Sequence, residues 1–93
     1  MLKEQLKELF NTALREDYKY IAVQIEMEGF KKPEIIINRV KQNGEDKLKY
    51  YDKVYDENLI HKFSKEKIQI IECVYGDSMS EIGEKLGEER IWR

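Results

Sequence analysis

The sequence holds one cysteine, one histidine and one proline among 93 residues. A lone Cys73 excludes an internal disulfide framework, and it also excludes the multi-cysteine zinc patterns. Its place in an apolar run fits a buried thiol in a reducing compartment. The five glycines are dispersed, so there is no glycine-rich loop to cradle a phosphate. No stretch approaches 18 consecutive apolar residues, and none reads as a membrane span. The N-terminus shows no basic region followed by an unbroken apolar run, so no signal peptide is read there and the cytoplasm is the expected location. An excess of charge of one sign is lacking as well. Seventeen basic residues stand against 19 acidic ones. That describes a mixed-charge surface and argues against a dedicated non-specific nucleic-acid binder, which carries a basic excess. No zinc, EF-hand or haem spacing is present, and no cofactor is expected.

The chain is of single-domain length, so residues 1–93 are read as one domain. A chain of this size buries about two-thirds of its unfolded surface, enough for one modest core. Charge is spread unevenly along it. Residues 31–67 carry ten basic and seven acidic side chains, between flanking segments that are net acidic.

The clearest helix spans Asn43 to Lys62. Leu48, Tyr51, Tyr55 and Leu59 recur at three- and four-residue steps and share one face. Asn43 is the expected N-cap, with Asp46 at the capping-box distance and Glu45 beside it at the positive end of the helix dipole. Lys62 and Lys65 suit the other end. Tyr50, Val54 and His61 form a second stripe outside the main apolar face.

Around this helix the chain alternates between two periods. Leu2, Leu6, Leu9, Phe10, Ala13 and Leu14 make one face of an amphipathic helix over residues 2–16. Its polar face balances Lys3, Lys7 and Arg15 against Glu4, Glu8 and Glu16, which suits packing on a sheet better than lying on a membrane. From Ile21 the period becomes two, with Ile21, Val23, Ile25 and Met27 on one side, and Tyr18 and Tyr20 fall with the polar positions. A five-residue loop from Gly29 to Pro33 leads to a second strand, Glu34 to Val40. So short a connection requires an antiparallel hairpin. The third strand covers Lys67 to Tyr75, where the adjacent Ile70 and Ile71 call for a bulge or burial on both faces. Ser78 with Glu81 marks a capping box for a last helix ending at Gly87.

The order is α-β-β-α-β-α. The expected fold is α+β, a two-layer sandwich with helices mainly on one face of a three-stranded mixed sheet in order 2-1-3, the third strand running parallel to the second.

Three readings of function come from the residues. The first is a non-catalytic binding protein whose partner is another protein or a second copy, met through Tyr50, Val54 and His61, with the open sheet face, a sheet edge and the tail Ile91-Trp92 as further contacts. The second is a weak nucleic-acid binder that uses Arg39, Lys47, Lys49, Lys53 and Lys62, with Lys65 and Lys67 near by, or stacks bases on Tyr18 and Tyr20 beside Arg39. Asp52, Asp56 and Glu57 interrupt that lysine surface. The third is a small enzyme built on Cys73 and His61, with nothing in the sequence to mark the thiol as activated.

The runs Ile35-Ile36-Ile37-Asn38, Lys47-Leu48-Lys49-Tyr50-Tyr51, Tyr55-Asp56-Glu57-Asn58-Leu59, Ile68-Gln69-Ile70 and Tyr75-Gly76-Asp77-Ser78 with Ile82 together resemble small uncharacterised proteins encoded by phages and prophages of Gram-positive bacteria. The resemblance covers residues 34–82 and carries no catalytic signature. It implies a phage-derived, intracellular accessory protein.

Overall fold

The computed structural model of the chain describes residues 1–87. Its elements are α1 (Lys3–Arg15), β1 (Tyr20–Met27), β2 (Glu34–Arg39), a wide π-helical turn (Val40–Gly44), α2 (Glu45–Val54), β3 (Ile68–Gly76) and α3 (Met79–Leu86). Helices and strands are mixed along the chain, so the fold is α+β. The tail Ile91-Trp92 lies outside the described residues.

The sheet order is β2-β1-β3, as expected. β1 pairs antiparallel with both neighbours, from Tyr20↔Arg39 to Ile25↔Glu34 on one side and from Tyr20↔Gly76 to Met27↔Ile68 on the other. The sheet is therefore antiparallel and not mixed. β2 and β3 do run in the same direction, but β1 lies between them and they share no ladder. The irregularity at Ile70-Ile71 is a bulge. Gln24 pairs with Glu72 and Ile25 with Ile70, which leaves Ile71 without an opposite residue.

Alternation on β1 sends Ile21, Val23 and Ile25 to one face, where they join Leu6, Phe10 and Ala13 of α1, Tyr51 of α2, and Cys73 and Ile70 of β3 in a single buried cluster. Ala22 and Ile82 are equally sealed from solvent yet stand outside that cluster. α3 packs on β1 and β3 and on neither of the other two helices. It thus closes a second, smaller apolar patch on the reverse face, while α1 and α2 share the main one.

The helix expected over Asn43–Lys62 is corrected at both ends. The chain enters it through the π-helical turn, which spends Asn43 inside a helical turn and removes it from the N-cap position. Gly44 precedes α2 with no side-chain cap. A Cβ on Gly44 would lie 3.2 Å from a methyl of Leu14, so the absence of a side chain lets the turn approach α1 closely. At the other end α2 stops at Val54, so Lys62 and Lys65 are not at its C-terminus, and Lys53 holds the last turn. The reason is Asp56. Its Oδ1 accepts the backbone N–H of Asn58 at 2.9 Å and of Ile60 at 3.0 Å, drawing the chain into a tight turn. Leu59 follows in the left-handed region at φ 60°. The chain then lies along the outer edge of β3, where the His61 amide donates to Ile68 O and the Ile70 amide donates to Leu59 O. Tyr51, Tyr55 and Leu59 are nonetheless all buried.

At the far end, Ser78 Oγ accepts the Glu81 amide at 3.1 Å, and Gly87 ends α3 at φ 67°. Glu81 does not reach back to the Ser78 amide. Its Oε1 accepts the Asp77 N–H at 2.9 Å instead.

Candidate functional site

With α2 ending at Val54, His61 does not share a helix face with Tyr50 and Val54. The Lys62 amide donates to Val54 O, which folds the segment after the turn back beside the end of the helix. The rings there form a chain of edge-to-face contacts. Phe10 meets Tyr51 at 5.9 Å between centroids, and Tyr51 meets both Tyr50 at 5.6 Å and Tyr55 at 5.8 Å. Tyr55 meets His61 at 5.2 Å, and His61 meets Phe63 at 6.1 Å. The chain begins in the core and ends on Phe63, which is 72% exposed, while Tyr50 is 47% exposed. His61 Nδ1 accepts the Phe63 amide at 3.1 Å, so the imidazole is tied to its own loop. Phe63 is not among the residues singled out from the sequence. A single aromatic amid charged and polar residues is the signal that would have found it.

Tyr51 is sealed beneath this ridge, and its hydroxyl has no hydrogen-bond partner among the described residues. Burial, followed by the neighbouring Tyr55, Cys73 and Tyr50, pushes its pKa well above the ordinary tyrosine range. A groove of 360 Å³ runs between α2 and the β1–β2 face, with Ile25 and Ile36 as its floor and Tyr50, Tyr51, Tyr55 and Lys47 among its walls.

The lysines do not converge. Lys47 lies over the rings of Tyr50 and Tyr51, 5.7 and 5.9 Å from their centroids. Lys49, Lys53 and Lys62 are exposed. Asp52 faces α1, paired with Lys7 at 3.3 Å and Lys3 at 3.6 Å, and its carboxyl is held below the usual range chiefly by Lys7.

Arg39 belongs to another place. A cavity of 380 Å³ at the end of the sheet is lined by Asp17, Tyr18, Lys19, Tyr20, Arg39, Lys41 and Gln42. Tyr18, Tyr20 and Arg39, grouped from the sequence as a stacking surface, do meet there. Tyr18 is not on the sheet, however. It precedes β1 and packs its ring on Tyr75 at 4.5 Å. Lys19, Lys41, Asp17 and Gln42 were not anticipated, because they flank the strands and do not lie in them.

Cys73 and His61 are not brought together. Cys73 belongs to the core cluster, and burial, then the Glu72 charge, pushes its thiol up to about 12. His61 is engaged with Tyr55 and Phe63 on the surface.

No family model matches the chain, and neither a curated protein nor a solved structure matches it. Among the described residues no helix is long and apolar enough to cross a membrane, and no group of His, Cys, Asp and Glu is placed to hold a metal ion.

Proposed function

We propose that this chain is a non-catalytic binding protein that docks another protein on the ridge formed by Tyr50, Val54, His61 and Phe63. The observation that supports the reading is the run of edge-to-face rings from Phe10 to Phe63. Each exposed ring is braced by the one beneath it, so the surface keeps its shape before a partner arrives and little ordering is needed on binding. Aromatic side chains braced in this way are the residues that dominate protein interfaces.

The body behind the ridge is read as a two-layer sandwich, with α1 and α2 over the sheet and α3 as an addition on the reverse. Absence of catalysis is supported by the setting of Cys73, whose thiol is buried and protonated at neutral pH. A phage or prophage origin and a cytoplasmic setting would make the protein an accessory factor that acts on another protein of the same cell. The α2 lysines support nucleic-acid binding less well, because Lys47 is committed to the tyrosine rings and Arg39 lines a separate cavity.

The test is retention of proteins from a soluble cell extract on the immobilised chain, compared with a Tyr50→Ala/Phe63→Ala double variant. The expected result is a protein that stays bound in high salt and is lost with the double variant. Retention that collapses with salt and ignores both substitutions overturns the reading.

A further inference from the structure

We propose that the cavity between Tyr20 and Arg39 is a binding site for a nucleoside 5′-phosphate group, either free or at the end of a single strand. The site shares no residue with the aromatic ridge and stands on its own observations.

Charge is the first of these. Lys19, Arg39 and Lys41 line the cavity against a single carboxylate, that of Asp17. Lys41 and Asp17 form a loose pair at 3.9 Å with both side chains largely exposed. Such a contact contributes little and is readily redirected. Neither the Lys19 ammonium nor the Arg39 guanidinium has an ion-pair partner among the described residues. The guanidinium fork matches two phosphate oxygens at once.

Position is the second. Tyr20 and Arg39 are direct cross-strand partners. Directly opposed side chains start about 5 Å apart on one face of the sheet, so a ring and a guanidinium placed there can hold two parts of one ligand. The backbone of Lys19 is fixed on both sides. Its amide donates to Asp77 Oδ1 at 3.2 Å and its carbonyl accepts the Val40 amide at 3.0 Å. Only its side chain is left to reach the ligand. Tyr18 is held from behind by Tyr75. Two half-buried tyrosines therefore offer stacking surface beside the three cations, and stacking on such rings tolerates any base.

Size is the third. A volume of 380 Å³ lies at the small end of ligand pockets, which run from about 300 to 1,000 Å³, and suits one nucleotide at a time. The Gln42 amide, both donor and acceptor, adds the polar contact that a base edge or ribose needs.

The experiment follows backbone amide NMR shifts of the full chain during titration, at low salt, with adenosine 5′-monophosphate, adenosine, inorganic phosphate and a 5′-phosphorylated oligonucleotide. Adenosine monophosphate is expected to move the amides of Lys19, Tyr20, Arg39 and Lys41. Adenosine and phosphate alone should each bind at least about tenfold more weakly, because each carries half of the recognised chemistry. Arg39→Gln, a change at an exposed position, should weaken the monophosphate about tenfold, and Asp17→Gly should tighten it by removing the opposing charge. An oligonucleotide that binds more tightly than the monophosphate assigns the group to a strand, and one that binds equally or less tightly assigns it to a free nucleotide. The proposal is overturned if the monophosphate leaves those amides unmoved. It is also overturned if phosphate alone binds as well as the monophosphate, or if Arg39→Gln, shown folded by its spectrum, binds as well as the parent.

Discussion

The rings of Tyr55 and His61 meet edge to face, 5.2 Å apart at 68°, and their backbones form an isolated antiparallel bridge. Only the turn at 56–60 separates them. That turn brings His61 and Phe63 beside the end of α2, and without it the aromatic ridge has no outer half. Its keystone is Asp56, and its strained member is Leu59, a bulky residue held at φ 60°.

Asp56→Ala should therefore destabilise the chain by about 1–3 kcal/mol, since it removes the acceptor of the exposed Asn58 amide and leaves the partly buried Ile60 amide without one. Asp56→Asn keeps an acceptor oxygen and should recover most of the loss. Urea unfolding measures both. A loss no larger than a typical surface substitution would show that the ladder with β3 holds the turn by itself.

Tyr51→Phe should leave the chain as stable or raise its stability by about 1 kcal/mol. A buried donor without a partner carries a desolvation cost of about 1–3 kcal/mol, and phenylalanine keeps the same ring against Phe10, Tyr50 and Tyr55. The check is the denaturation midpoint at unchanged slope. A clear loss of stability would mean that the hydroxyl is bonded in solution.

The path of the chain was legible wherever one signal was enough. A period-two run placed β1, the apolar run Ile35-Ile36-Ile37 placed β2, a five-residue loop required the hairpin, and the adjacent Ile70 and Ile71 called for a bulge or burial on both faces, of which the structure has the bulge. Ser78 marked the start of α3. The end of α2 was misread because two backbones satisfy the same burial. Tyr51, Tyr55 and Leu59 fit a helical face, and they are buried equally well by a helix that stops at Val54 and a turn that follows it. The Asp-Glu-Asn cluster at 56–58 was the competing turn signal. In the site, Tyr20 and Arg39 could be paired once the hairpin was known. Lys19 and Lys41 could not, since their placement depends on how the helices enter and leave the sheet.

Cys73 should resist thiol reagents in the folded protein at neutral pH and react at the ordinary rate once the chain is unfolded. Its thiol is buried and its pKa is pushed from 9.0 up to about 12. Between those two values the unfolded chain has lost the proton and the folded chain keeps it. The stabilising contribution is therefore complete below pH 9 and disappears as the pH climbs towards 12. Cys73→Ser would confuse this test by burying a hydroxyl, so Cys73→Ala is the control. It should lessen the alkaline fall in stability, the remainder coming from Tyr51 and Tyr55, whose hydroxyls are also pushed up by burial. Rapid labelling of the native protein, or an alkaline profile unchanged by Cys73→Ala, would refute the account.

Acid should act through Glu81, just past the Gly76 end of β3. Its carboxylate accepts the Asp77 amide and pairs with Lys85 at 3.2 Å, and these hold its pKa below the ordinary 4.5, the amide bond having the larger effect. A lowered carboxylate pKa means that the folded state releases this proton more readily than the unfolded one. The contribution is then fully present above pH 4.5 and is lost as the pH falls through the lowered value. Asp52 titrates in the same direction through Lys7, so the parent's acid profile alone cannot isolate Glu81. Comparison with Glu81→Gln does. The variant keeps an acceptor for the Asp77 amide but loses the charge, so it should melt below the parent at neutral pH, with the gap closing under acid. Gly76→Ala is an independent route to the same contact, because a Cβ there would stand 2.8 Å from Glu81 Cδ and push the carboxylate off the Asp77 amide. It should reproduce the lower melting temperature and the flatter acid response. A gap between parent and Glu81→Gln that stays constant from neutral pH to pH 3 would show that the carboxylate contributes nothing through its charge.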